Sequence, residues 1–139
     1  MKKKRLLCSN DAPRAIGPYS QAIATSSTVY ISGQIPLNPN TLELVGPDID
    51  LQITQVMKNI DAICRSAGGS LNSVVKFTVF MTNIEDFSKV NHIMQKFLRE
   101  PYPARSLVQV AVLPEQGDNQ IIFLSNFSFM FFEKKMDTA

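Results

Sequence analysis

Apolar residues recur along this chain with two periods, and each change of period marks an element. Ile49, Ile53, Val56, Met57, Ile60, Ile63, Cys64 and Ala67 fall at helical spacing and predict an amphipathic helix. Gly68-Gly69 supplies its stop, because glycine tolerates the left-handed conformation that closes a helix. Thr82 stands three residues before Glu85, the spacing of a capping box, and opens a second predicted helix. Phe87, Val90, Met94, Phe97 and Leu98 form its apolar face, and Pro101 ends it. Runs rich in β-branched and aromatic residues predict strands over 6–9, 19–24, 28–33, 74–81, 106–112 and 120–132. The last strand places Phe127, Phe129 and Phe131 on one face, which then meets the helices or a partner subunit. Proline- and glycine-bearing loops separate the strands at 11–18, 36–40 and 114–119. This order predicts one α+β domain over residues 1–139, with both helices packed on one face of the sheet.

Composition changes this picture little. At 139 residues, 45% hydrophobic and 19% charged, the chain has ordinary globular proportions and enough length for one good core. A net charge of +2 gives no general affinity for nucleic acid, and none is expected as a partner. The one basic cluster, Lys2-Lys3-Lys4-Arg5, reads as a solvated tail. The short apolar stretch after it, followed at once by Ser9-Asn10-Asp11, does not make a secretion signal. No segment has transmembrane length, and a cytoplasmic location without a membrane partner is expected. Cys8 and Cys64 make neither a disulfide framework nor a metal site, and His92 is the lone histidine, so no zinc site is expected.

Candidate chemistry concentrates at Arg105. It stands at the mouth of a strand whose next residues, Leu107 to Leu113, are apolar except for Gln109. A buried guanidinium needs an anion, and its planar fork matches a carboxylate, so the choice lies between a structural Asp or Glu and a small acidic ligand. The residues alone leave these two evenly balanced. Asn91 shares the helical stripe of Phe87, Val90 and Met94, which points its amide inward. A helix-to-sheet hydrogen bond is the more economical reading there. Tyr19 follows the rigid Gly17-Pro18 pair and either lines a cleft or serves as a strand aromatic. Ser32-Gly33-Gln34 ends a strand where glycine permits close approach of a ligand to the backbone. No Ser/His/Asp arrangement and no phosphate-cradling glycine loop is present, and Glu115 and Asp118 read as solvated turn residues.

Five ordered blocks carry a resemblance. They are Ala12-Pro13 with Ala15-Ile16-Gly17-Pro18-Tyr19-Ser20-Gln21-Ala22; Val29-Tyr30-Ile31-Ser32-Gly33-Gln34-Ile35-Pro36-Leu37; Val74-Val75-Lys76-Phe77-Thr78-Val79-Phe80; Asp86-Phe87 with Val90-Asn91; and Tyr102-Pro103-Ala104-Arg105-Ser106. Together, from about Asn10 to about Pro114, the sequence resembles the YjgF/RidA family of enamine/imine deaminases. The resemblance implies a chorismate-mutase-like α+β fold with a mixed sheet of about six strands, assembled as a homotrimer with clefts between subunits. It implies hydrolytic deamination of 2-aminoacrylate, 2-aminocrotonate and similar enamines or imines to 2-oxo acids and ammonia, with no cofactor and no metal. By the same resemblance Arg105 holds the substrate carboxylate, Tyr19 closes the cleft, Ser32 and Gly33 orient the ligand, and Asn91 supports the site. Two positions depart from the family pattern. Gln120 stands where family deaminases commonly carry a glutamate, and Leu107 where a cysteine is frequent. Glutamine orients a water but does not take its proton, which keeps open the alternative of a non-catalytic trimeric binder or sensor of small 2-oxo acids.

Overall fold

The computed structural model describes residues 3–114 and 121–122. Strands β1 (Arg5–Leu7), β2 (Ala22–Ala24) and β3 (Val29–Ile31) form an antiparallel sheet in sequence order. Helix α1 (Ile49–Ser66) follows, then β4 (Lys76–Met81), helix α2 (Phe87–Phe97), β5 (Ala104–Gln109) and β6 (Ile121–Ile122). Among the described residues β4 is the centre of a second sheet, parallel to β5 and antiparallel to β6. The described strands thus lie in two three-stranded sheets, not in one continuous sheet. Phe127, Phe129 and Phe131 lie outside the described residues.

Helix α1 has chemical signals at both ends. The Asp48 carboxylate accepts from the Leu51 backbone N–H at 3.1 Å, satisfying one of the free donors of the first turn. At the other end Gly68 adopts a φ of 85°, and the Gly68 and Gly69 amides donate to the Arg65 and Cys64 carbonyls. Between these ends the apolar stripe is buried, from Ile49 through Ile53, Val56, Met57, Ile60 and Ile63 to Cys64. Each such side chain contributes about 1.5–3 kcal/mol relative to exposure. Two polar residues share the stripe. Asn59, fully buried, donates to the Leu37 and Ile35 carbonyls at 3.0 and 3.3 Å and accepts from Gln55. Gln52 donates to the Gly46 carbonyl at 2.7 Å.

Strand β4 alternates cleanly, with Phe77, Val79 and Met81 buried and Lys76, Thr78 and Phe80 half-buried on its other face. The buried residues join one core with the inward residues of β2, β3, α1 and α2, in keeping with helices packed on a sheet face. Two details of the second helix differ from the sequence expectation. A single 3₁₀ turn, Ile84–Asp86, precedes α2 and is capped by Asn83, whose Oδ1 accepts from the Glu85 N–H, and α2 itself starts from Asp86 without a side-chain cap bond. Phe87 stands in the first turn of α2 and is 51% exposed, while Val90, Ile93 and Met94 further along the helix are buried.

Strand β5 corrects a larger expectation. Among the described residues it is the edge of its sheet, and of its six residues only Leu107 is half-buried. Its apolar run is not buried among the described residues, because one side of an edge strand lacks a neighbour there. Among the described residues no helix is long and apolar enough to cross a membrane.

Candidate functional site

The parallel pairing of β4 with β5 decides where Arg105 faces. Arg105 is in register with Phe77, and Leu107 with Val79, so both project from the helix-covered side of the sheet. At the sheet edge that direction leads beside α2, and Arg105 meets the helix there. It lines a cavity of about 270 Å³ with Asn91, Met94 and Gln95 of α2, Leu98 just beyond it, and Tyr102 and Pro103 on the approach to β5. The volume suits a ligand of a few heavy atoms.

Among the described residues Arg105 has one hydrogen-bond partner, the Met94 sulfur, which accepts from a terminal guanidinium nitrogen at 3.7 Å. The ion pairs among the described residues are Arg65 with Asp61 and Lys89 with Asp86, so no described carboxylate answers Arg105. A thioether is a weak, neutral acceptor and leaves most of the donor fork uncommitted. Arg105 is also exposed, so the burial expected of it does not hold in the single chain. Asn91 is half-buried on the same cavity wall. Its amide makes no hydrogen bond among the described residues, and the expected helix-to-sheet bond is not formed among them. Met94 and Tyr102 had drawn no attention as site residues. Their signal was spacing: Met94 lies one helical turn beyond Asn91, and Tyr102 three residues before Arg105.

The other predicted site residues gather elsewhere. Tyr19, Gly33 and Gln34 line a small cavity of about 30 Å³ together with Pro13, Arg14 and Ile16. Tyr19 is half exposed, and its hydroxyl accepts from the Ile16 N–H at 3.2 Å, folding the ring back over its own loop. Gly17 allows this, since a Cβ there would stand 3.3 Å from the tyrosine ring. Gln21 ties the loop down: its Oε1 accepts from the Ser9 N–H, and its Nε2 donates to the Pro13, Ser9 and Ala12 carbonyls. The Ser32 hydroxyl donates to the Ser20 carbonyl and keeps its lone pairs for a further donor. Gln120 lies outside the described residues. The predicted residues therefore form two groups, one around Arg105 and one around Tyr19, each lining its own cavity.

Comparison with known proteins gives this arrangement a context. The family described as Endoribonuclease L-PSP matches residues 9–121. The structure of RidA from the Antarctic bacterium Psychrobacter sp. PAMC 21119 superposes with a TM-score of 0.82 at 44% identity, covering 91% of this chain and 98% of that one. The chain belongs to the YjgF/RidA family. Human 2-iminobutanoate/2-iminopropanoate deaminase is 41% identical over 112 residues, 81% of this chain and 82% of the human protein. Among solved YjgF/RidA structures, Escherichia coli TdcF with bound serine aligns with a TM-score of 0.82 at 35% identity, over 91% of this chain and 98% of TdcF. The family match includes Gln120 and stops short of the phenylalanine-rich residues 127–132.

Proposed function

We propose that the protein hydrolyses short 2-imino acids, and the enamines that tautomerise to them, to 2-oxo acids and ammonia. The observation that carries this reading is the Arg105 guanidinium, which lines a ligand-sized cavity without a carboxylate partner among the described residues. Arg105 binds the substrate carboxylate through two parallel hydrogen bonds and so fixes the adjacent C=N carbon. Water adds to that carbon, the C–N bond breaks, and both water hydrogens end on the departing ammonia. Asn91, on the same wall, offers its amide to the ligand or to the water.

The two groups of site residues support assembly from more than one subunit. A homotrimer that sets the Tyr19 group of one chain against the Arg105 group of the next forms one enclosed cleft from two shallow ones. Tyr19 then closes it, with Ser32 and Gly33 beside the ligand. The relatives named imine deaminases at about 40% identity support the reaction class, and a cytoplasmic setting follows from the substrates, which arise inside cells.

The test is the lifetime of 2-aminoacrylate released by a dehydratase. The purified protein shortens it, Arg105→Ala abolishes the effect, and Arg105→Lys, which lacks the bidentate fork, retains about a tenth or less. Full activity of Arg105→Ala refutes the assignment. Gln120 in place of the family glutamate favours a second reading, a trimeric binder of 2-oxo acids without turnover. Calorimetric binding of 2-oxobutyrate by a protein that leaves the lifetime of 2-aminoacrylate unchanged selects that reading.

A further inference from the structure

The Tyr19 group contains a second guanidinium. Arg14 is exposed and lines the same cavity as Tyr19, Gly33 and Gln34, and it has no hydrogen bond or ion pair among the described residues. Its placement is not that of a loose surface side chain. The neighbouring Pro13 is buried, and its carbonyl is held by Gln21 Nε2 at 2.8 Å. Two residues beyond, the Ile16 N–H is held by the Tyr19 hydroxyl. The guanidinium therefore projects from a backbone fixed on both sides.

A second observation on this wall points to an absent partner. Gln34 is 95% buried by its 5% exposure, and its Nε2 donates to the Ser32 carbonyl at 3.1 Å. Its amide oxygen has no donor among the described residues. A buried acceptor without a donor in the chain is normally met by water or by a ligand N–H. Two further cation-lined cavities lack this combination. Lys89 is paired with Asp86, and Lys3, Lys4 and Arg5 flank a groove that contains none of the predicted ligand residues.

We propose that Arg14 holds a second anionic group of the substrate, so that the cleft takes short 2-imino dicarboxylates such as iminosuccinate. The proposal rests on the intersubunit deaminase reading above, in which Arg14 of one chain faces the cleft entered by Arg105 of the next. Two guanidinium groups on one desolvated cleft repel each other, and a monocarboxylate answers only one of them. A dicarboxylate answers both. The 30 Å³ cavity has room for about one water and not for a carboxylate, so the distal group sits at its rim, where Arg14 emerges. The reaction is unchanged: water adds at C=N, ammonia leaves, and the product is a 2-oxo dicarboxylate.

The test measures kcat/KM for imines made in situ by amino-acid oxidases from aspartate and from 2-aminobutyrate. The readout is the ratio of dicarboxylate to monocarboxylate in the wild type, Arg14→Ala and Arg14→Lys. Loss of one charge-assisted contact to the distal carboxylate lowers the ratio in Arg14→Ala by about tenfold or more, chiefly through KM, and Arg14→Lys recovers part of it. A ratio within about twofold of wild type overturns the inference, since that is inside the effect of a screened surface charge. If the wild type hydrolyses neither imine, the deaminase reading fails. Calorimetry with 2-oxoglutarate and 2-oxobutyrate then reads the same ratio in Kd, and equal ratios in wild type and Arg14→Ala overturn the inference independently.

Discussion

Replacing Gln21 by glutamate tests whether one side chain holds the Tyr19 loop. Gln21 is 4% exposed, and its amide meets four backbone groups. Oε1 accepts from the Ser9 N–H at 2.7 Å, while Nε2 faces the carbonyls of Pro13, Ser9 and Ala12 at 2.8, 3.1 and 3.3 Å. An amide nitrogen has only two hydrogens, so the three carbonyls share two donated bonds. Counting one accepted and two donated bonds at about 1 kcal/mol each gives roughly 3 kcal/mol. For 139 residues that corresponds to a fall in Tm of about 10 °C. Gln21→Glu keeps the acceptor for Ser9 and loses the two donated bonds, about 2 kcal/mol, and its negative charge towards three carbonyl oxygens brings the loss at pH 7 to at least the full ~3 kcal/mol. Protonation returns one O–H donor, which the folded state favours, so the folded carboxyl titrates above its unfolded value. The folded state then binds more protons, and the deficit relative to wild type shrinks as pH falls through that raised value. Urea unfolding followed by circular dichroism, at one fixed protein concentration, measures both quantities. A Gln21→Glu protein within about 0.5 kcal/mol of wild type at pH 7 refutes the reasoning, as does a deficit that does not change with pH.

Asn59→Leu keeps the branched outline on the α1 stripe but strands the Ile35 and Leu37 carbonyls, and we expect a loss of about 2 kcal/mol or more in the same assay; an unchanged midpoint refutes the assignment. Burial, with Asp61 adding to it, pushes the Cys64 thiol well above its ordinary 9.0. The unfolded chain then ionises first, so stability is intact below pH 9.0 and falls above it by up to about 1.4 kcal/mol per pH unit. Cys64→Ala removes this component of the slope, and identical slopes for the two proteins between pH 8 and 10, roughly one unit either side of the thiol value, exclude it.

The helices were legible where chemistry and periodicity coincide. Helix α1 begins at an aspartate cap and ends at a glycine with positive φ, and its apolar stripe runs unbroken between them. What its sequence did not disclose is the role of Asn59, whose partners lie 22 and 24 residues away in a loop. Phe87 shows a related limit. Its spacing places it on the apolar stripe, but how far the core extends along the first turn of α2 is set by what packs there, and Phe87 is 51% exposed. Strand β5 shows the same limit at the level of the sheet. Alternation and β-branching identify a strand, whereas its position at an edge follows from pairing with residues some thirty positions earlier, Lys76 with Ala104 among them.

The site divides along that line as well. Arg105, Asn91 and Tyr19 were each visible as residues, yet only the parallel β4–β5 pairing sets Arg105 beside Asn91 and Met94. Folding of the single chain does not desolvate Arg105. In the single chain the guanidinium is exposed and hydrated, so leaving its fork unpaired costs little. In the assembly proposed above, a neighbouring chain covers the cleft that Arg105 lines, and water is withdrawn from Arg105 on one side and from Arg14 of the adjoining chain. On that proposal the need for anions arises on assembly and not on folding, so the site can favour a charged ligand without burdening the stability of the individual chain.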